Sequence, residues 1–394
     1  MNLKKWVEHC YKLSKKINRF EDGENKYLLS NFKGTSQQKD IEQRTALIGD
    51  FFRVKINSKA MDDDEMKRQG KEVMDFKDNE KVFGALRNEF DMSYWAFHSL
   101  HNAKLQDYNR VFISQIKGCN IFCPWCFVDD INKNSKEDNG SAFFSMREIL
   151  DAFENERKTQ TLNCVRTSGG EPTLAVQQWK DVLEGLEKRG LSEEVYFQGE
   201  TNLTTGHFLD YLEETNDIEE WFFEKIGNYR NFGVLSSFKG TDTESFLKAS
   251  GLTNKDGSPN RNYRFLEKER WYSFEKMIRA GIDAYPFIYD PNPETLESFM
   301  EKGAKKFGDG FYLKTWVLPL KLYGPEKIRM EAKGINPEDE QKRLNDNFAK
   351  SKEIMQEIIY KKFGVNYQSI PRAGIELKSQ LEEQPSLFTV SCFD

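Results

Sequence analysis

The alternation of apolar and polar residues changes character near residue 110. From there to about residue 320, short apolar runs alternate with amphipathic segments, a pattern typical of repeated βα units that build a parallel sheet. Six strands are predicted, at residues 111–116, 162–167, 194–197, 233–236, 282–288 and 312–318. The functional loops of such a sheet follow the carboxyl ends of its strands, so chemistry is sought there first.

Five amphipathic segments between or after these strands predict helices at residues 145–158, 174–189, 206–225, 263–280 and 293–307. Ser145 with Glu148 forms the pattern of a capping box, while Gly190 and Gly281 lie just past predicted helix ends. Six strands with intervening helices predict an α/β fold, a partial (β/α)6 TIM-like barrel.

The barrel pattern is flanked by two segments of different character. Residues 1–105 lack the rhythm and show helical spacing only at 3–19 and a candidate strand at 49–56, whereas a long helix is predicted at 337–363. The expected domains are a mixed N-terminal extension of unknown fold at 1–105, the barrel at 106–320, and a C-terminal helical extension and tail at 321–394.

The composition places the chain among globular proteins, with 38% hydrophobic, 13% aromatic and 31% charged residues. It has no run of about 18 apolar residues and no apolar signal-peptide segment at its N-terminus, so we expect a cytoplasmic protein without membrane contact. The net charge is −6, yet residues 1–60 carry 13 lysines and arginines against 7 aspartates and glutamates. This asymmetry indicates either a solvated surface or an anionic partner.

Three of the six cysteines fall within eight residues of the stretch 117–126, directly after the first predicted strand. Cys119, Cys123 and Cys126 have C-x3-C-x2-C spacing, which suits thiolates converging on one compact iron–sulfur cluster. A cubic cluster held by three cysteines keeps one iron without a protein ligand, as expected of a catalytic centre. The cysteines by themselves leave zinc open, with His98 or His101 as a distant fourth ligand.

A second loop, after the second predicted strand, reads Gly169-Gly170-Glu171-Pro172. Paired glycines allow close approach of backbone to a ligand, Glu171 can accept hydrogen bonds from an ammonium group, and Pro172 suits the first turn of a helix. Because this loop lies one βα unit after the cysteines, the two motifs together are a more specific signal of function than either motif alone.

Together these two motifs resemble those of the radical S-adenosylmethionine (radical SAM) superfamily. The resemblance implies an enzyme in which the three cysteines hold a [4Fe–4S] cluster and the open iron is chelated by S-adenosyl-L-methionine (SAM). Reductive cleavage of SAM, with electrons from flavodoxin or ferredoxin, would yield a 5′-deoxyadenosyl radical that abstracts hydrogen from a substrate. The resemblance assigns the cofactor-binding surroundings to Trp125, Gly169, Gly170, Glu171 and Pro172, with Trp125 a neighbour of the adenine.

Two further segments resemble the activating enzymes of glycyl radical proteins, such as pyruvate formate-lyase activating enzyme. Glu200-Thr201-Asn202 follows the third strand, and Ser236-Ser237-Phe238-Lys239 follows the fourth, in place of an Asp-x-Lys segment. The resemblance implies SAM contacts from Thr201, Asn202, Ser237 and Lys239. The chain departs from these enzymes because Ser237 replaces the acid and because no additional cysteines follow Cys126 before residue 145.

Three functions are consistent with these motifs. The activating-enzyme segments favour hydrogen abstraction from a protein or peptide. The basic first 60 residues favour modification of a nucleotide or RNA, which would make binding sensitive to salt. A non-catalytic zinc or iron–sulfur binding module would bind no SAM.

Overall fold

The computed structural model describes residues 1–38, 45–56, 110–160, 162–367, 370, 372 and 375–380. The predicted boundary between residues 105 and 106 lies outside this part of the chain. His98, His101 and Cys392 lie outside it as well.

Eleven strands are present in the described residues, numbered in chain order. They are β1 (Asn18–Glu21), β2 (Glu24–Ser30), β3 (Thr45–Ile48), β4 (Phe52–Ile56), β5 (Arg110–Ile116), β6 (Ser141–Ser145), β7 (Cys164–Gly169), β8 (Tyr196–Thr201), β9 (Phe232–Lys239), β10 (Asp283–Tyr289) and β11 (Trp316–Leu318).

The helices of the described chain surround this sheet. They are α1 (Leu3–Ile17), α2 (Met146–Arg157), α3 (Gln177–Lys188), α4 (Gly206–Glu214), α5 (Phe222–Gly227), α6 (Thr243–Ala249), α7 (Phe265–Arg279), α8 (Leu296–Phe307), α9 (Gly310–Lys314), α10 (Gly324–Glu331) and α11 (Pro337–Phe363). Short 3-10 turns lie at Asp130–Lys133, Pro172–Ala175, Arg261–Tyr263 and Pro293–Thr295.

Six parallel strands form the centre of the sheet in the order β5, β7, β8, β9, β10 and β11. Their register aligns Ile116 with Gly169 and Lys239 with Tyr289, so the carboxyl ends of all six strands meet at one edge. Beyond β11 no further strand pairs within the described residues, so the sheet stays open. The predicted α/β class and partial barrel are confirmed.

Of the strand predicted at 49–56, only Phe52–Ile56 is extended. Two predicted elements of the barrel also differ from the structure. The segment predicted as a strand at 312–318 begins as α9, and only Trp316–Leu318 is extended, because Phe311 turns helically into the core and Thr315 donates to the Phe311 carbonyl at 2.6 Å. The helix predicted at 206–225 is two helices, α4 and α5. The chain between them contains Asn216 and Trp221 with positive φ, which ends helical geometry.

Strands from the first 56 residues extend the barrel sheet. Strand β4 pairs antiparallel with β5, and β2 pairs antiparallel with both β5 and β6. The described part of the N-terminal extension therefore shares the sheet of the barrel. Whether residue 105 marks a domain boundary stays a prediction.

The C-terminal helices α10 and α11 lie beside the carboxyl edge of the sheet. Helix α11 spans the residues that the sequence predicted and buries Met355 and Ile359 in the main core. Among the described residues, no helix combines the length and apolar character needed to cross a membrane.

Aromatic rings from several elements build the core behind β9. Phe238 of β9 is fully buried and contacts the rings of Trp271, Phe274, Phe299 and Phe311, with centroids 5.0 to 6.4 Å apart. Phe238 is followed by the predicted ligand Lys239, so this packing holds the strand end that carries a candidate site residue.

Phe238→Ala is expected to lower the free energy of unfolding by about 3–5 kcal/mol, because it removes a buried ring and leaves a cavity. Urea denaturation followed by circular dichroism measures the change. Phe20→Ala is the matched control, since Phe20 is 71% exposed. Equal stability of the two variants would contradict the assigned packing.

Candidate active site

A cavity of about 790 Å³ opens at the carboxyl edge of the parallel sheet. The loops after β5, β7, β8 and β9 all contribute to its wall. Every residue that the sequence nominated lines it: Cys119, Cys123, Trp125, Cys126, Gly169, Gly170, Glu171, Pro172, Thr201, Asn202, Ser237 and Lys239. The structure thus brings the nominated residues together, while their roles as ligands stay predictions.

The cysteine loop, residues 118–128, leaves β5 through Gly118, whose φ of +115° suits glycine. Backbone bonds fix its start: the Gly118 amide donates to the Asn132 carbonyl at 3.0 Å, and the Cys119 amide donates to the Lys133 carbonyl at 3.1 Å. Cys119 is buried, whereas Cys123 and Cys126 are partly exposed. The loop therefore places its three thiols at the opening of the barrel, one of them buried and two partly exposed.

The two glycines after β7 are required by the cysteine loop itself. The Gly170 amide donates to the Ile116 carbonyl at 2.9 Å, and the Glu171 amide donates to the Gly118 carbonyl at 2.8 Å. A Cβ on Gly170 would lie 1.6 Å from that Gly118 oxygen, and a Cβ on Gly169 would lie 2.6 Å from the Ile116 oxygen. The pair thus allows close approach of one loop backbone to another, a reason that the sequence did not reveal.

Glu171 is buried with a fixed side chain. One carboxylate oxygen accepts from the Thr173 amide at 3.3 Å and from the Thr173 hydroxyl, and the other accepts from the Asn202 amide at 2.7 Å. Burial raises the pKa of this carboxyl above its ordinary value, while those hydrogen bonds oppose the rise. Glu171 thus links the loops after β7 and β8 as well as lining the cavity.

Asn202 connects the third loop back to the cysteines. Its side-chain amide donates to Asn120 at 2.8 Å and lies 3.8 Å from the Cys119 sulfur, while its oxygen accepts from the Thr204 amide at 3.0 Å. Asn120 in turn donates to the Thr204 hydroxyl at 2.9 Å. The hydrogen-bonding groups of the Asn202 side chain are therefore used within this network, and the network also contacts the Cys119 sulfur.

Ser237 and Lys239 reach the cavity from β9. The Lys239 ammonium lies 5.8 Å from the centroid of the Tyr289 ring. Burial raises the pKa of Tyr289, and a hydrogen bond with Ser237 opposes the rise. Tyr289 itself lines the cavity. This side of the cavity combines a cation with two hydroxyl groups.

Trp125 contacts the C-terminal extension. Its indole nitrogen donates to Glu340 at 2.9 Å, and the Arg343 guanidinium lies 5.6 Å from its ring centroid. Arg343 pairs with Asp290 at the end of β10 through two contacts of 3.0 and 2.9 Å. Helix α11 thereby fixes the indole at the cavity wall.

Arg329 of α10 binds the cysteine loop directly. Its guanidinium donates to the carbonyls of Pro124 at 2.9 Å and Val128 at 2.6 Å, and to that of Cys126. It also pairs with Asp130 at 3.0 Å. No local pattern in the sequence marks this contact, because donor and acceptors lie about 200 positions apart.

Several polar residues of the cavity were not predicted from the sequence. Arg53, Gln115, Arg166 and Ser168 line it beside Glu200, which the motif contained but which was not nominated. The Ser168 hydroxyl donates to Glu200 at 2.8 Å, and Arg166 forms an ion pair with Glu200. Arg166 and Ser168 alternate along β7, which is the one local signal for their shared face.

The residues present fit the cofactors that the motifs imply. Three thiols of one loop face a common cavity, and a buried carboxylate and an ammonium group line the same wall. Within the described ranges, no three histidine, cysteine, aspartate or glutamate side chains converge closely enough to hold a single metal ion. Three cysteine thiols on one loop are the type of ligand that holds an iron–sulfur cluster.

One of three comparisons with known proteins, the match to a family profile, agrees with this site. Residues 113–302 match the sequence profile of the Radical SAM superfamily. A solved structure titled "Structure of TYW1 with a lysine-pyruvate adduct bound" is 11% identical, with a TM-score of 0.38, over 82% of this chain and 88% of that chain. The comparison with curated proteins finds no match.

Residues 113–302 therefore form a radical SAM domain, and this domain makes the protein an enzyme. Enzymes of this superfamily use a [4Fe–4S] cluster and SAM. The match is to the superfamily as a whole, so the closer resemblance to glycyl-radical activating enzymes stays a prediction.

Gly170→Ala is expected to reduce iron bound after anaerobic reconstitution to a small fraction of the wild-type content. Its Cβ cannot coexist with the Gly118 carbonyl, so the two loops must separate. Gly140→Ala is the control, because a Cβ there meets only the Asp138 side chain at 3.3 Å. Full iron content in Gly170→Ala would refute the close contact.

Arg329→Gln is expected to weaken iron retention about tenfold, because hydrogen bonds from a charged donor each contribute about 1.5–3 kcal/mol. Iron loss to a chelator, followed by absorbance, measures the effect. Lys333→Gln, an exposed change on the turn after the same helix, should match wild type. Identical rates of iron loss from wild type, Arg329→Gln and Lys333→Gln would show that the contacts of Arg329 with the cysteine loop do not contribute to iron retention.

Proposed function

We propose that this radical SAM enzyme directs a 5′-deoxyadenosyl radical at a hydrogen atom of a protein or peptide substrate. The observation that carries the proposal is the convergence of all twelve nominated residues on one cavity. The ends of four neighbouring parallel strands and the loops that follow them supply these residues, so thiols, a carboxylate and an ammonium group face the same space.

Cys119, Cys123 and Cys126 would hold the cluster, with Asn202 and Arg329 fixing their loop from two sides. When bound, the cluster supplies the electron that cleaves SAM to methionine and the 5′-deoxyadenosyl radical. The chain keeps the surroundings ordered, because the loop carbonyls and amides are already paired within the protein. An ordered site limits side reactions of a radical.

Glu171 would accept hydrogen bonds from the SAM amino group. Its carboxylate is fixed by Thr173 and Asn202, so it is preorganised to meet an ammonium group without reorienting. Lys239 and Ser237 would contact SAM from β9, and Trp125 would border its adenine. These assignments rest on the position of each residue in the cavity wall and on the family resemblance.

The proposed substrate class is supported by the resemblance to the activating enzymes and by the volume of the cavity. Cavities of roughly 300–1,000 Å³ hold small molecules, so about 790 Å³ accommodates SAM with little more than one side chain of a substrate. A peptide segment presenting one residue at the mouth fits this space.

RNA is the second candidate because α1 exposes Lys5, Lys12 and Lys16. Salt-dependent retention of RNA by the wild-type chain, and its loss on replacing these three lysines by glutamine, would favour that class. Retention that is independent of salt would contradict it.

The electron donor would be a flavodoxin or a ferredoxin in the cytoplasm. The described cysteines, Cys10, Cys119, Cys123, Cys126 and Cys164, are all free thiols, which suits a reducing compartment.

The reaction is tested by anaerobic reconstitution followed by SAM and dithionite. Release of 5′-deoxyadenosine is expected from wild type and not from the Cys119/Cys123/Cys126→Ala variant. Deuterium transfer from a labelled substrate into 5′-deoxyadenosine then identifies the abstracted hydrogen. A pure protein that contains zinc and no iron would overturn the proposal.

Glu171→Gln is expected to weaken SAM binding about tenfold, because it removes the charge that faces the ammonium group while keeping the shape of the side chain. Equilibrium dialysis measures the affinity. The exposed Glu193→Gln is the control. Unchanged affinity in Glu171→Gln would remove Glu171 from the SAM site.

A further inference from the structure

Two arginines outside the radical SAM motifs face the cavity together. Arg53 of β4 pairs in register with Ile113 of β5, which pairs with Arg166 of β7. Cross-strand partners point to the same face of a sheet, so the two arginines flank Ile113 in one row with Cα atoms about 10 Å apart. Both line the cavity.

Among the described residues, Arg53 forms no ion pair. Glu200, the carboxylate that acts on the charge of Arg53, is already paired with Arg166. The Arg53 Nε is buried without a hydrogen-bond partner in the described chain. The carboxylate nearest to the Arg53 charge is thus already bound to a second guanidinium in a partly buried space, which favours an additional anion beside Arg53.

Packing holds Arg53 at the cavity wall. Its guanidinium carbon lies 5.4 Å from the ring centroid of Phe32 and 5.5 Å from that of Phe127, the residue after Cys126. Burial, and next the neighbouring Arg166 guanidinium, lower the pKa of Arg53 to about 10. The group remains a cation at neutral pH, and a bound anion would relieve its repulsion from Arg166.

The row is offset from the predicted SAM contacts, sideways at Arg53 and in depth at Arg166. Those contacts follow β7, β8 and β9, whereas Arg53 lies on β4, on the far side of β5. Arg166 is three residues before Gly169, so its backbone lies about 10 Å deeper in the barrel than the glycine turn. The space between the arginines is therefore distinct from the surroundings of Glu171.

We propose that Arg53 and Arg166 form an oxyanion subsite that binds a carboxylate or phosphate group of the substrate. The planar guanidinium groups can each donate two hydrogen bonds to such a group. This inference rests on the proposed function, because it assumes that the cavity also holds SAM. It adds that the substrate carries an anionic group. The side-chain amide of Gln115, which also lines the cavity, can contact that group as an additional donor.

The test uses the full chain, reconstituted with its cluster and saturated with SAM, and titrates inorganic phosphate and, separately, acetate by calorimetry. We expect millimolar binding of at least one anion, weakened about tenfold or more in Arg53→Gln and partly restored in Arg53→Lys. Arg261→Gln, whose side chain is 79% exposed, is the matched control. Binding of phosphate without acetate assigns a phosphate group, and binding of acetate assigns a carboxylate.

Three results would overturn the subsite. They are no binding of either anion by wild type, equal binding by wild type and Arg53→Gln, and a loss of SAM affinity in Arg53→Gln as large as the loss of anion affinity. The last would make Arg53 a contact of the SAM carboxylate. Unchanged SAM affinity in Arg53→Gln also shows that the variant is folded.

The proposed function is tested separately on the same samples. Release of 5′-deoxyadenosine with dithionite and no substrate reports SAM cleavage. A protein that releases 5′-deoxyadenosine and binds no anion contradicts the subsite only, whereas one that binds the anion and releases none contradicts the proposed function only.

Discussion

The contact between two loop backbones is the constraint on which the rest of the site depends. The Gly118 carbonyl accepts from the Glu171 amide at 2.8 Å, and no side chain fits at Gly170 between them. This contact joins the loop that carries the cysteines to the loop that carries the candidate SAM ligand. Because both loops continue parallel neighbours, β5 and β7, the register of the sheet sets their distance.

Other contacts close this pair of loops into a ring. Glu171 accepts from the Asn202 amide, and the Asn202 side chain reaches Asn120 and the Cys119 sulfur, so the third loop returns to the first. From outside, α10 and α11 hold the cysteine loop through Arg329 and Trp125. The loop of the three cysteines is thus positioned by hydrogen bonds from four elements, which is the kind of support that a catalytic metal centre needs.

The barrel could be predicted because each parallel strand is a short apolar run, and the nominated residues could be placed because parallel strands end at one edge. Contacts between residues that are far apart in the sequence could not be predicted. Arg329 binds backbone carbonyls that lie some 200 positions earlier in the sequence. Arg53 lines the cavity only because β4 pairs with β5, and no local sequence pattern predicts that pairing. Residues 312–314 have the apolar character of a strand and are helical because Phe311 packs among the core rings.

The central claim is that the cysteine loop and Glu171 serve one SAM-binding cluster. Pulsed electron paramagnetic resonance of the reduced cluster, with SAM labelled by 15N in its amino group and 17O in its carboxylate, tests it most directly. Hyperfine coupling of both labels to the cluster is expected. A signal that does not change when SAM is added, with no coupling from either label, would contradict it.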